Sequence, residues 1–455
     1  MTLRIGNGAG FWGDNLDAPR QLVESSTLDY LTLEYLAELT LSILARLREK
    51  DPAAGYAHDF LPVLKSLVPA LKSQSKLKIV TNAGGMNPAS CARAAAAILR
   101  EAGLEDVRIG VVSGDDLLPR LGELQASHGC SFNNLDDARP LAELKQPVVS
   151  ANAYLGAQPI AAALQDGARI VITGRVADAS LTVGPAMHEF GWSWDDWNRL
   201  AAASVAGHLI ECGAQATGGY AAGWAGANLS DVGYPIAELA VDGSFVLTKP
   251  AGSGGRVSCD TAASQVVYEI GDPRHYLTPD VDCDFTTVSL EEVGPDRVAV
   301  RGATGRAAPK TLKVSLAYRD GFLADGRLLV YGEDCLAKAE ECARIIWQKL
   351  YAAGYEYART NVELLGTGAG VPGLHDPPAE LREVMLRLAV HDPRREAVER
   401  FTREFAPLAT SGPAGLAGYT QARGELRPVF AYWPTLVSRE LVVPQAEVRT
   451  AGAWL

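Results

Sequence analysis

Short apolar runs rich in Ile, Val and Leu fill the first half of the chain, separated by segments whose apolar residues recur every three to four positions. TLRI, LDYLTL, KLKIVT, VRIGVV, QPVVSA and ARIVIT predict strands; YLAELTLSILARLREK, PASCARAAAAILREAG and AQPIAAALQDG predict helices. Strands alternating with helices predict a mostly parallel, Rossmann-like sheet with helices on both faces. From about residue 231 the pattern changes. YPIAELAVDGSFVLTK predicts a hairpin around Asp242-Gly243, and TLKVSLAYRDGFLADGRLLVYG a strand, a turn and a strand. A helix over EDCLAKAEECARIIWQKLYAAG, strands over YEYARTNVELLG and EVMLRLAVH, and a helix over PRREAVERFTREFAPLA follow. That succession predicts an α+β domain with split β-α-β, ferredoxin-like elements. The expected organisation is an α/β domain over residues 1–230, an α+β domain over 231–455 packed on it, and a cleft between the two.

Composition narrows the function classes. A net charge of -12 without a basic stripe argues against nucleic acid, and no apolar run is long and pure enough to span a bilayer. The seven cysteines are scattered, odd in number and free of C-x-x-C pairs, as expected of reduced thiols in a cytoplasmic protein.

In parallel α/β sheets ligands gather beyond the carboxyl ends of the strands, so the polar residues there are the site candidates. Six such loops collect: GNGAGFWGDN, Glu34-Tyr35, NAGGMNP, SGDDL, ANAYLG and GRVADAS. The first contains G-x-G-x-x-G at Gly8, Gly10 and Gly13, and Glu34 stands where a dinucleotide fold carries its ribose acid. Asp14 argues against a nucleotide, because a carboxylate at the start of the helix expected there competes for the N–H groups a pyrophosphate would use. The loop reads better as one wall of a substrate cleft, with Trp12 as an apolar surface and Asp14 as a polar contact; a plain tight turn is the alternative.

In NAGGMNP, Asn82, Gly84 and Gly85 are candidate substrate contacts, the glycines offering bare N–H groups to an oxyanion, while Asn87 and Pro88 suit the start of a helix. Asn152 belongs to the same set of loops. Of the adjacent Asp115 and Asp116, one is expected to face the cleft. Arg175 is the candidate fork for a substrate carboxylate, with Asp178 as a further contact, a helix cap or its ion-pair partner. His208 and Glu211 lie three apart on one helix face and join Asp115 as candidate acid/base groups, with Gln215 close by. A buried, hydrogen-bonded histidine is the alternative there, and one H-x-x-E without a third ligand does not make a metal site. Cys212 has no base nameable from sequence. In TKPAGSGGR, Lys249 and Arg256 flank a glycine run suited to an anion, or to a mobile surface loop. His275 is the available acid/base group of EIGDPRHYLTPDV.

GFWGD, TNAGGMNP, SGDDLLPRL, SANAYLGAQPIAAAL, ITGRVADASL, AGHLIECGAQATGGY and GYPIAELAVDGSFVLTKPAGSGG are similar to the signature blocks of the AtuA-like acyclic terpene utilisation proteins. The resemblance extends from residue 4 to beyond residue 410. It implies a setting in the breakdown of citronellol- and geraniol-like compounds through CoA thioesters, in a family whose own reaction is not settled. Some relatives carry an added C-terminal ferredoxin-like module, so a separate small partner of that kind is one expectation, beside homo-oligomerisation.

The expected activity is a catabolic enzyme acting on a carboxylic acid or its acyl-CoA thioester, by hydration, elimination or carbon–carbon cleavage. No resident cofactor is expected, CoA entering as part of the substrate. A non-catalytic CoA- or acid-binding subunit of a CoA-dependent complex is the alternative, and an NAD(P)-dependent oxidoreductase is disfavoured.

Overall fold

The computed structural model describes residues 2–221, 223–368, 370–371, 373, 380–418 and 424–455. The first strands are β1 (Thr2–Asn7), β2 (Tyr30–Leu33), β3 (Lys78–Thr81), β4 (Arg108–Ser113), β5 (Val148–Ala153) and β6 (Ile170–Thr173), followed by the hairpin β7 (Ile236–Ala240) and β8 (Phe245–Thr248). The helices between and after them are α1 (Ala18–Ser25), α2 (Thr40–Lys50), α3 (Phe60–Ser73), α4 (Pro88–Glu101), α5 (Leu121–His128), α6 (Gln158–Gln165), α7 (Ser180–Phe190), α8 (Trp197–Glu211) and α9 (Cys259–Val266).

Among the described residues one sheet of ten strands runs in the order Ser289–Gly294, Arg297–Arg301, β8, β7, β1, β2, β3, β6, β4, Gln445–Thr450. Its centre, β1-β2-β3-β6-β4, is parallel, and both flanks are antiparallel. The sheet is therefore mixed. The apolar runs of β2 and β6 are continuous because both faces are covered. Leu31, Leu33, Ile170 and Ile172 join residues of α1, α3 and α4 in one core cluster. The alternate residue Tyr30 faces the other way and donates to Glu189 of α7 at 2.6 Å.

Contacts divide the chain into two units, residues 1–317 with 432–455, and residues 318–431. The division does not fall at the expected residue 230. The hairpin β7-β8 forms around Gly243, whose φ is +92°, but it is zipped antiparallel onto β1, which ties it to the first unit. QPVVSA also differs from expectation: β5 is a strand, but it pairs with Thr311–Tyr331 and lies outside the parallel sheet. Alternation shows that a strand exists, and the partner is set by residues far along the chain.

Thr311–Tyr331 is itself one strand of 21 residues where strand, turn and strand were expected. Its second part, Phe322–Tyr331, pairs residue for residue with Glu383–Asp392, so the Asp-Gly step at 325–326 is held extended by the ladder, while Gly321, just before it, has a φ of +83°. In the second unit Val384, Leu386, Leu388 and Val390 alternate inward and pack with Ile346 of helix Cys335–Ala352 and Phe401 of helix Arg395–Thr402. The single helix expected from PRREAVERFTREFAPLA is two, Arg395–Thr402 and Leu408–Ser411, separated by a turn containing Pro407. No helix among the described residues is long and apolar enough to cross a membrane.

Candidate functional site

Beyond the carboxyl ends of the parallel strands, the predicted polar residues are close together and largely bonded to one another. The glycine loop does not lead straight into a helix, because α1 begins at Ala18. Asp14 instead folds back, its Oδ2 accepting from Gly10 N at 2.8 Å and its Oδ1 from the Tyr234 hydroxyl at 2.6 Å. A Cβ on Gly10 would stand 2.7 Å from the Cys212 carbonyl carbon, and one on Gly8 2.9 Å from Pro19 Cα. These glycines allow backbone to meet backbone. Trp12 is half-buried and packs against the apolar cluster under α2 and α3.

In the next loop, Asn82 accepts from Tyr35 N at 2.8 Å through Oδ1 and donates to Glu34 through Nδ2. Gly85 has a φ of +51° and donates its N–H to Asn82 O at 3.1 Å, so that group closes its own turn. A Cβ on Gly84 would meet Thr173 O at 2.5 Å. Asn87 caps α4 by accepting from Ser90 N, with Pro88 as the first helical residue, as its sequence predicts.

Asp115 is buried and Asp116 points outward to Arg48 at 3.5 Å. Asp115 Oδ2 accepts from Arg175 N at 2.9 Å and from Asn152 Nδ2 at 2.8 Å, pinning three loops together. Burial pushes its carboxyl up to about 6. Arg175 is 1% exposed, with Nε on Val176 O, Nη1 on Leu36 O, Nη2 on Asp178, and its guanidinium 4.3 Å from the centre of the Tyr154 ring. It is not free to clamp a substrate carboxylate. Its charge also offsets Glu34, which burial raises to about 7 and whose Oε2 has no hydrogen-bond partner.

The open chemistry lies at the end of α8. Asn7 Nδ2 donates to Ile210 O at 2.7 Å and Glu211 O at 2.9 Å, fixing that helix end to β1. His208 Nε2 sits 2.9 Å from Gln265 O, and its Nδ1 3.0 Å from Glu211 Oε1. A carbonyl only accepts, so Nε2 carries a hydrogen, and the proton at Nδ1 is shared with the carboxylate. Burial favours the neutral ring, but the bond to Glu211 and its charge win and raise the His208 pKa. Glu211 Oε2 is left without a partner.

Both residues line a cavity of about 560 Å³ built wholly within the first unit. That volume lies within the roughly 300–1,000 Å³ of small-molecule sites. Its apolar wall includes Leu135, Leu312, Pro279 and Leu436; its polar wall adds Glu38, Asp178, Tyr276 and Lys313. Lys313 Nζ lies 3.4 Å from Glu38 Oε1 and 5.0 Å from the centre of the Tyr154 ring. Burial works against the Glu38 charge, yet its backbone hydrogen bond and Lys313 hold its carboxyl below the usual range.

Of the sequence candidates Asp178, His208 and Glu211 line this cavity; the others, those already described and four more, do not. Gln215 sits in the 3-10 turn Gly213–Thr217 after α8. Arg256 is exposed, its backbone N–H donating to Thr217 O at 2.8 Å. Lys249 is buried beside Asp296 and Ser253, and His275 is an exposed partner of Asp282. Burial raises the Cys212 thiol to about 12, which removes the thiolate a nucleophile needs. Sequence reasoning missed Lys313, Glu38, Tyr154 and Tyr276. Lys313 alternates with apolar neighbours in TLKVSL, which marks a strand but not what the strand faces. Among the described residues no group of three or more His, Cys, Asp or Glu side chains could hold a metal ion.

The model of the acyclic terpene utilisation family protein AtuA matches residues 3–448. No curated protein and no solved structure matches the chain.

Proposed function

The chain belongs to the acyclic terpene utilisation family AtuA, and from that premise we propose that it is a catabolic enzyme adding water to, or eliminating it from, a branched acyclic acid or its acyl-CoA thioester. The observation that carries this reading is the His208–Glu211 pair on an apolar-walled cavity, with one carboxylate oxygen unpartnered. In the hydration direction Glu211 takes a proton from water as the oxygen bonds to the β-carbon of an unsaturated acyl group. The α-carbon then takes that proton from Glu211, which regenerates the carboxylate, and the carbon–carbon double bond becomes a single bond. His208, held by Gln265, keeps Glu211 oriented and shares its proton. Lys313, half-exposed at the cavity, supplies the positive charge for a carboxylate or CoA phosphate that Arg175 cannot supply. Carbon–carbon cleavage would use the same base and is the next chemistry to assay.

A dinucleotide has no comparable support, because the glycine loop is closed by Asp14 and packed against Cys212 and Pro19. The test is turnover of branched, acyclic enoyl-CoA thioesters and the matching free acids, followed by loss of the conjugated thioester absorbance. Lys313→Met should raise KM roughly tenfold, the effect of losing one charge-assisted contact, with kcat little changed. Saturable binding without turnover of any acid or thioester would instead favour a non-catalytic binding subunit.

A further inference from the structure

A second cavity, of about 510 Å³, is built on the same sheet around Arg4 of β1. Strand register places its charged residues together. Arg4 on β1 pairs across to Glu238 on β7, Glu238 to Val246 on β8, and Val246 to Ala299 on strand Arg297–Arg301. With a period of two along each strand, Thr248 and Arg297 share the face of Arg4 and Glu238. Arg4 Nη1 and Arg297 Nη2 grip the two oxygens of Glu238, at 2.7 Å and 2.5 Å. Lys249, just past β8, is 1% exposed in its side chain and 3.2 Å from Asp296.

Three cations thus share two carboxylates, in a chain whose net charge is -12. Arg4 Nε is buried without a hydrogen-bond partner, although it is a strong donor. The hydroxyl residues Ser25, Ser26 and Thr27 complete the wall. The carboxyl end of α1 works against an anion here, but Ser25 Oγ donates to Gln21 O and takes up one of its carbonyls.

We propose that this cavity binds a phosphate-bearing small molecule, its phosphate oxygens taken by Arg4 and Arg297, with Lys249, whose three hydrogens go to Ser253 and Asp296, adding only its charge. Arg4 and Asn7 stand on opposite faces of β1, and Asn7 holds the Glu211 end of α8, so the site is separate from the acid cavity, with which it shares no lining residue. It does not depend on what the acid cavity does.

Titration calorimetry of the full chain with inorganic pyrophosphate, coenzyme A and ADP at constant ionic strength tests this. At least one should bind saturably, while chloride at matched ionic strength gives no heat of binding. Pyrophosphate binding as tightly as the other two assigns the site to the phosphates alone; tighter binding of coenzyme A or ADP assigns it to a nucleotide-linked diphosphate. Arg297→Gln should weaken binding at least tenfold. Ala251→Glu, which puts a carboxylate at the wall without removing a partner, should do the same even if Arg297→Gln proves poorly folded. Arg395→Gln, in an exposed ion pair of the second unit, should leave binding unchanged. Absence of binding by all three ligands, or binding that Ala251→Glu leaves intact, overturns the proposal.

Discussion

Arg175–Asp178 and His208–Glu211 are both charged pairs three residues apart at the ends of regular elements, and they differ in what is left over. Every nitrogen of the Arg175 side chain has a partner, and the ring of Tyr154 covers its face. In the second pair both ring nitrogens are occupied, yet one carboxylate oxygen is not. Polar residues gathered at strand ends need not be waiting for a ligand. Most of those found here hold the loops to one another, as buried polar groups generally do.

The contrast can be broken at either pair. The largest expected effect is on turnover: Glu211→Gln keeps the shape but removes the base, and should lower kcat about 10²–10⁴-fold. Its melting temperature should stay near that of the wild type, so an unchanged kcat would move the chemistry elsewhere. Arg175→Met should act oppositely, costing about 3–5 kcal/mol of stability in denaturant titrations because Glu34 loses its buried counter-charge. A loss no larger than that of a surface arginine would mean that the closed pair is not structural.

Gly10→Ala should cost about 1–3 kcal/mol, because the added carbon would meet the backbone at Cys212 and Gly213. The smallest effect is with pH. Glu34 is raised from 4.5 to about 7, Asp115 from 3.8 to about 6, and His208 is raised as well, so the native state binds more protons than the unfolded chain. The stability these groups contribute is full below their unfolded values and is lost as pH rises through the folded ones. The melting temperature should therefore fall between pH 5 and pH 8, and Glu34→Gln should flatten that slope.

Much of this was legible in the sequence. The parallel strands announced themselves because both of their faces are buried, and Asn87-Pro88 because capping is local chemistry. His208 and Glu211 were legible for the same reason, lying one helical turn apart. What stayed hidden depends on distant residues. Lys313 meets Glu38 across 275 positions, and Arg175 could be read as a free fork because Leu36 O is 139 residues away. The Asp-Gly step at 325–326 looked like a turn until a partner ladder overrode it.

The first unit is interrupted in sequence: the chain leaves it after residue 317 and returns at 432. Gln445–Thr450 covers the outer side of β4, so during synthesis that strand has no neighbour on one side until residues 445–450 have been made. Through that interval residues 318–431 can already fold, while the larger unit carries an open, pairable edge. Deleting residues 445–450 should therefore show its damage as aggregation of nascent protein, well before any loss of chemistry could be measured.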